Sequence, residues 1–165
     1  VSDAPSPAIV IRPALSEDAD GLTRTFLESA AHHARLDPER FLVPQADPIA
    51  TLYREGRQHP PDATSITLVA ELGGQIAGFV DVRLTHSPDP MHREIVYCHI
   101  VEIAVSSAHQ HSGIGRRLLE AAENWGRRQG AHFASLEYLA ANTGAAAFYQ
   151  RLGYGVAALT AIKRL

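Results

Sequence analysis

From Ala8 to Ala14 the chain reads AIVIRPA, β-branched residues closed by a proline, which predicts a first strand. The period then changes. In SEDADGLTRTFLESAAHHARL, residues Leu22, Phe26, Leu27 and Ala30 recur at helical spacing, acids stand in the first turn, and Ser16 is placed as a cap. LDPERFLVPQADP is a proline-broken loop. PIATLYREGRQ predicts a second helix, ended by HPPD. SITLVAELGGQIAGFVDVRLT has strand character on both sides of Gly73-Gly74, the pattern of a hairpin. After the polar loop HSPDPMHRE comes IVYCHIVEIAV (Ile95–Val105), β-branched and mostly apolar, as a central buried strand requires.

Residues 113–128 are helical, with Ile114, Leu118, Leu119, Ala122 and Trp125 on one side. HFASLEYLA predicts a strand and NTGAAAFYQRLGY a short helix with Gly153 past its end. GVAALTAIKRL predicts a closing strand. The order β-α-α-β-β-β-α-β-α-β, with strand, glycine loop, helix and strand between Val105 and Leu139, supports an α/β fold. A mixed sheet would carry an anion site at its crossover. The long stretches 35–62 and 85–94 are candidate substrate walls.

Composition narrows the class. A length of 165 residues suits one domain, read as residues 8–165 behind a disordered lead-in at 1–7. VSDAPSPA lacks the basic and apolar regions of a signal peptide. Hydrophobic residues at 45% and charged residues at 20% describe a globular chain, and a net charge of -3 gives no pull toward nucleic acid or an anionic membrane. No apolar run approaches the length of a membrane span. The one cysteine, Cys98, allows no intrachain disulfide, which fits a reducing cytoplasm. Cys98 falls in the predicted buried strand and reads as packing. His32-His33 and His109-x-His111 have no third ligand in sight, so no metal is expected.

The chemistry concentrates in AHQHSGIGRRLLEAAENWGRRQG, residues 108–130, where Gly113 and Gly115 stand at the mouth of a helix. Helix N-termini leave N–H groups unpaired and carry partial positive charge, so a phosphate suits them. A Walker loop needs a lysine that does not follow Gly115, and a dinucleotide fingerprint needs a third glycine where Leu118 stands. The motif present is Gln110-x-x-Gly113-x-Gly115.

IAVSSAHQHSGIGRRLL, with LEYLAANTGAAAFYQRLGY downstream, resembles the GNAT superfamily of acetyl-CoA-dependent N-acetyltransferases. The first stretch is similar to that family's Gln/Arg-x-x-Gly-x-Gly/Ala loop. The second is similar to its Asn-x-x-Ala-x-x-Phe-Tyr-x-x-x-Gly-Phe/Tyr segment. The likeness is at motif level over residues 95–155 and architectural over 8–94. It departs from the family at His111, where many members have glycine, and at Ser107, where many have proline.

The resemblance implies a single-domain, mixed, mostly antiparallel twisted sheet flanked by helices. It implies acetyl-CoA as cosubstrate, with backbone N–H groups of His111, Ser112, Gly113, Ile114, Gly115 and Arg116 around the pyrophosphate, behind Gln110. Ile103, Ala104 and Val105 would offer backbone groups to the pantetheine arm. Asn142 would cap its helix, contact the cofactor, or both. Phe148 reads as packing beside the cofactor, and Tyr149 stands where the family commonly places a general acid near the coenzyme A sulfur.

An alkyl amine with a pKa near about 10 is only about 0.1% neutral at pH 7, so a base must help remove its proton. Three residues compete. Glu137 precedes Tyr149 by 12 residues, the spacing at which the ribosomal-protein N-terminal acetyltransferase branch places its base. His99 matches a position where other branches place a catalytic Glu or His. Glu102 shares that strand, on the opposite face by simple alternation unless a β-bulge changes the phase. An ordered water chain is the fourth option. The acceptor would be a small-molecule or peptide amine; a homodimer is left open. A non-catalytic acyl-CoA-binding or sensing module on the same scaffold is the alternative.

Overall fold

The computed structural model describes residues 8–56, 64–87 and 90–164. The predicted lead-in at 1–7 and the HPPD stop lie outside the described residues. The elements run β1 (Val10–Pro13), α1 (Ala19–Leu36), α2 (Ala46–Gly56), β2 (Ser65–Leu72), β3 (Gln75–His86), β4 (Val96–Val105), α3 (Ile114–Arg128), β5 (Phe133–Leu136) and α4 (Thr143–Arg151). The strands form one sheet in sequence order. β1 to β4 are antiparallel neighbours, and β5 joins β4 in parallel after the α3 crossover. No described helix is long and apolar enough to cross a membrane.

The predicted hairpin forms at Gly73-Gly74, whose φ angles of 58° and 78° give the left-handed turn that matches strand twist. α3 buries Ile114, Leu118, Leu119 and Ala122 against one face of the sheet, with Val80, Val82, Cys98 and Ile100. α1 and α2 cover the other face, where Leu22, Tyr53, Val69, Phe79 and Ala104 form a second core. A sheet clad on both faces accounts for the apolar character of β2 to β4.

Two expectations are corrected. Ser16 does not cap the first helix. It opens a single 3-10 turn, and the buried Asp18 carboxylate accepts from the Leu15 N–H at 2.8 Å while pairing with Arg12 at 2.7 and 2.9 Å. That ion pair ties β1 to the start of α1. GVAALTAIKRL does not close the sheet. Residues 155–164 are irregular and exposed, with Val156, Leu159 and Ile162 open to solvent and Arg164 paired to Glu39 at 3.1 Å. Those apolar residues recur at every third position rather than every second, so no single strand face collects them.

Gly126 on α3 lies directly over β4. A Cβ there would stand 2.5 Å from the Cys98 Cβ and 2.6 Å from its Sγ. The Cys98 thiol is buried, donates to the Ala122 carbonyl at 3.4 Å, and is pushed up to about 11 by that burial. It is a packing group, not a nucleophile. Gly126→Ala should therefore overpack the helix–sheet contact and lower stability by about 1–3 kcal/mol. Urea denaturation measures it, and an unchanged midpoint would show that α3 can lift without loss.

Candidate active site

The site is built where β4 and β5 part. The two strands pair from Tyr97–Phe133 to Ile100–Leu136, and there the pairing stops. β4 continues from Val101 to Val105 with no β5 partner, so a slot opens along its backbone edge. A second irregularity falls at the same place. Asp81 of β3 pairs with Glu102 and Val82 with Ile100, leaving Val101 as an extra residue, a β-bulge.

The bulge reverses which face each residue presents. Cys98 and Ile100 lie in the α3-side core, whereas Ala104, also even-numbered, lies in the α1-side core. His99 before the bulge and Glu102 after it therefore share the α1 face. Simple alternation puts them on opposite faces, and the extra residue overturns that. On β5, Ala134 and Leu136 pack toward α3, which leaves Ser135 and, by continued alternation, Glu137 on the α1 face as well. His99 Nδ1 and Ser135 Oγ are 3.1 Å apart across the strand pair.

The three candidate bases are thus neighbours on one face, and their surroundings separate them. Glu137 is exposed, just past the end of β5. His99 is partly buried and tied to Ser135. Glu102 is partly buried and accepts a 2.9 Å hydrogen bond from Ser29 Oγ on α1. Burial pushes the Glu102 carboxyl above its ordinary range. The Ser29 bond and nearby His33 act against that, and Asp81 adds to it.

Tyr149 on α4 is 8% exposed, ringed by Tyr138, Phe148 and Tyr154 at centroid distances of 5.6, 5.3 and 5.9 Å. Tyr154 is anchored by donating to Glu123 of α3 at 2.9 Å. Burial first, and the Glu102 charge second, push the Tyr149 phenol up to about 12. The phenol therefore keeps its proton at neutral pH, and it feels Glu102 across the slot. Phe148 packs beside it, as expected. Asn142 caps α4, its Oδ1 accepting from the Ala145 N–H at 3.1 Å.

The glycine loop closes one end of the slot. Ser106 Oγ and His109 Nδ1 are 2.8 Å apart, Ser112 Oγ donates to the His109 carbonyl at 2.5 Å, and the Ser107 N–H donates to Glu28 at 2.6 Å. The first α-helical bond of α3 runs from the Arg117 N–H to the Gly113 carbonyl at 3.2 Å. The N–H groups of residues 112–116 precede it and meet no acceptor among the described residues. Gly113 is left-handed at φ 83°. Gly115 lies beside α4: a Cβ there would make ordinary van der Waals contact with Phe148 Cζ at 3.4 Å.

The remaining cofactor candidates divide. Ile103 and Val105 pack partly buried against the α3-side core, Ala104 is 7% exposed in the other, and Ile114 is fully buried, so only backbone groups of these four can face a ligand. Gln110 is exposed. Arg116 points out to Glu120, 2.7 Å away. Ser29, Asp81, Tyr138 and Tyr154 were not singled out by sequence reasoning, and His33 was weighed there only as half of a metal-ligand pair. Only Tyr154 had a signal, the aromatic position that ends the LGY motif. Among the described residues no group of three His, Cys, Asp or Glu side chains could hold a metal.

The acetyltransferase (GNAT) family model matches residues 27–154, reaching back over strands where the motif likeness was only architectural; the chain belongs to this family. A comparison with curated protein sequences returned no match. Among solved structures, the chain is similar to the BH1408 protein from Bacillus halodurans, with 22% identity, TM-score 0.85, and coverage of 94% of this chain and 99% of that one. It is similar to the aminoglycoside N-acetyltransferase AAC(6')-Iy in complex with a bisubstrate analogue, with 19% identity, TM-score 0.69, and coverage of 96% and 98%. Glucosamine-6-phosphate N-acetyltransferase from Arabidopsis thaliana is a third, with 16% identity, TM-score 0.67, and coverage of 95% and 98%. These likenesses establish the fold.

The departure at His111 has a structural counterpart. Its φ is 62°, the one left-handed non-glycine among the described residues. Histidine tolerates that region better than a β-branched residue does. His111→Val should be less stable than His111→Gly by about 1–2 kcal/mol. Equal thermal midpoints for the two variants would mean that the loop relaxes out of the left-handed region.

Proposed function

We propose that this GNAT-family chain transfers the acetyl group of acetyl-CoA to a primary amine by direct attack in a ternary complex, with Glu102 as base and Tyr149 as acid. The observation that carries the reading is the slot itself. Along one open strand edge it brings together unpaired helix N–H groups, a desolvated carboxyl and a phenol that holds its proton.

The parts fit the cosubstrate. A pyrophosphate meets the N–H groups of residues 112–116 and the positive end of α3, while Arg116 contributes its N–H and not its side chain. The backbone of residues 103–105, unpaired on the β5 side, suits the amides of pantetheine as an added strand would. That leads the thioester toward the point where Glu102 and Tyr149 sense one another. The amine arrives as an ammonium ion and gives its proton to Glu102, directly or through one water. The neutral nitrogen then attacks the thioester carbonyl. The carbon–sulfur bond breaks, the leaving thiolate takes the phenolic proton of Tyr149, and the second proton that the nitrogen sheds as the amide forms returns to the phenolate through solvent. A desolvated carboxylate is a better base than an exposed one, and a phenol of raised pKa remains protonated until the thiolate needs it. Glu102, rather than Glu137, combines the desolvation with a fixed position. The acceptor belongs to the class of small-molecule or peptide amines, and a broad amine panel with mass detection of the acetylated product identifies it.

Coenzyme A should bind in calorimetry, and Gly113→Asp should weaken it by more than about tenfold, because a carboxylate would stand where phosphate sits. Unchanged affinity in a folded variant would remove the pyrophosphate from this loop.

The kinetic expectation follows from the direction of the Glu102 shift. The base works only when ionised, so kcat/KM should rise with pH through a midpoint above the ordinary glutamate value of about 4.3. Glu102→Gln should abolish that limb and lower kcat/KM by about 10²–10⁴-fold. Tyr149→Phe should lower kcat while leaving coenzyme A affinity nearly unchanged. If Glu102→Gln keeps the limb while Glu137→Gln or His99→Gln loses it, the base is the residue whose loss removes the limb.

A further inference from the structure

We propose that α1 supplies the positioning residue of the base: Ser29 fixes one oxygen of Glu102 from the layer opposite its own sheet. The inference rests on Glu102 being the base. It adds a residue that lies far from either sequence motif and that the family match does not assign a role.

Glu102 has a problem that its own sheet cannot solve. Its cross-strand neighbour on β3 is Asp81, a second carboxylate directly opposite in register. Like charges placed that way repel, and partial burial adds to the difficulty of ionising Glu102. Thr67 on β2 donates to Asp81, which holds that carboxylate in the sheet. Tyr149 faces Glu102 from α4 and is neutral. Relief therefore comes from the opposite layer. Ser29 Oγ–H donates to Glu102 Oε1 at 2.9 Å, which leaves Oε2 to receive the proton of the amine.

His33 is built into the same unit. Its Nδ1–H donates to the Ser29 carbonyl at 3.0 Å, which ties the ring to the residue that donates to Glu102. The ring stacks on Phe41 of the loop after α1 at 5.5 Å and an interplanar angle of 28°, with His32 edge-on at 6.1 Å. Clamped in this way, the His33 ring is held where it acts with Ser29 against the upward push on Glu102.

Both groups lower the Glu102 pKa, so removing either should raise it. Ser29→Ala should move the acidic midpoint of kcat/KM up by about one pH unit, with the rate recovered at high pH. His33→Gln should shift it in the same direction, and Ser29→Thr, which keeps the donor, should restore the wild-type midpoint. A purely structural role would lower kcat equally at every pH. The Glu102 carboxyl can also be titrated directly by ¹³C NMR of the intact chain, its resonance assigned by its loss in Glu102→Gln. That midpoint should move with the kinetic one in Ser29→Ala and His33→Gln. If both midpoints stay where they are in the wild type, the proposal is overturned. If the carboxyl midpoint moves while Glu102→Gln leaves kcat/KM intact, the α1 unit stands and the assignment of Glu102 as base is what fails.

Discussion

A strand can move its side chains from one face of a sheet to the other only by gaining a residue against its neighbour, and β4 gains Val101. The site depends on that one irregularity. It carries Glu102 to the α1 face, beside His99. It falls where β5 stops pairing, so the strand edge beyond it is open. Without the extra residue Glu102 would enter the α3-side core among Ile100, Leu118 and Leu119, where a carboxylate has no partner.

The bulge sets a carboxyl against an adverse environment, and the rest of the site answers it. Asp81 and partial burial push Glu102 up, while Ser29 and His33 hold it back. Tyr149, more deeply buried, is pushed the same way by burial and by Glu102 itself. Burial thus makes the carboxyl more basic and keeps the phenol protonated at neutral pH.

The start of α3 lies beside α4. A Cβ at Gly115 would make ordinary van der Waals contact with Phe148, so the unpaired N–H groups of α3 neighbour a helix 33 positions further along the chain. The two sequence motifs thereby become one surface. The left-handed backbone at His111 and Gly113 turns the chain from the exposed edge of β4 into α3, and only the first of these bears a side chain that resists it.

Where the structure follows from neighbours in the chain, the sequence alone determined it. Gly73-Gly74 between two runs of strand character makes a hairpin because both residues take positive φ. Ile114, Leu118, Leu119, Ala122 and Trp125 make a helix because their spacing builds one apolar side. Gly113 marks the start of α3 because glycine takes the positive φ of that turn without cost. Where a residue's role depends on a neighbour distant in the chain, only the tertiary structure decided it. Val156, Leu159 and Ile162 are strand-like by composition, but a strand needs an edge to pair with, and residues 155–164 meet none. Asp18 rather than Ser16 serves the start of the first helix because Arg12 holds it there. Alternation puts His99 and Glu102 on opposite faces, and the register against β3 joins them. Ser29 reaches Glu102 across 73 residues of chain, a distance that no local spacing encodes, because two layers must pack before a hydroxyl on one can donate to a carboxylate on the other.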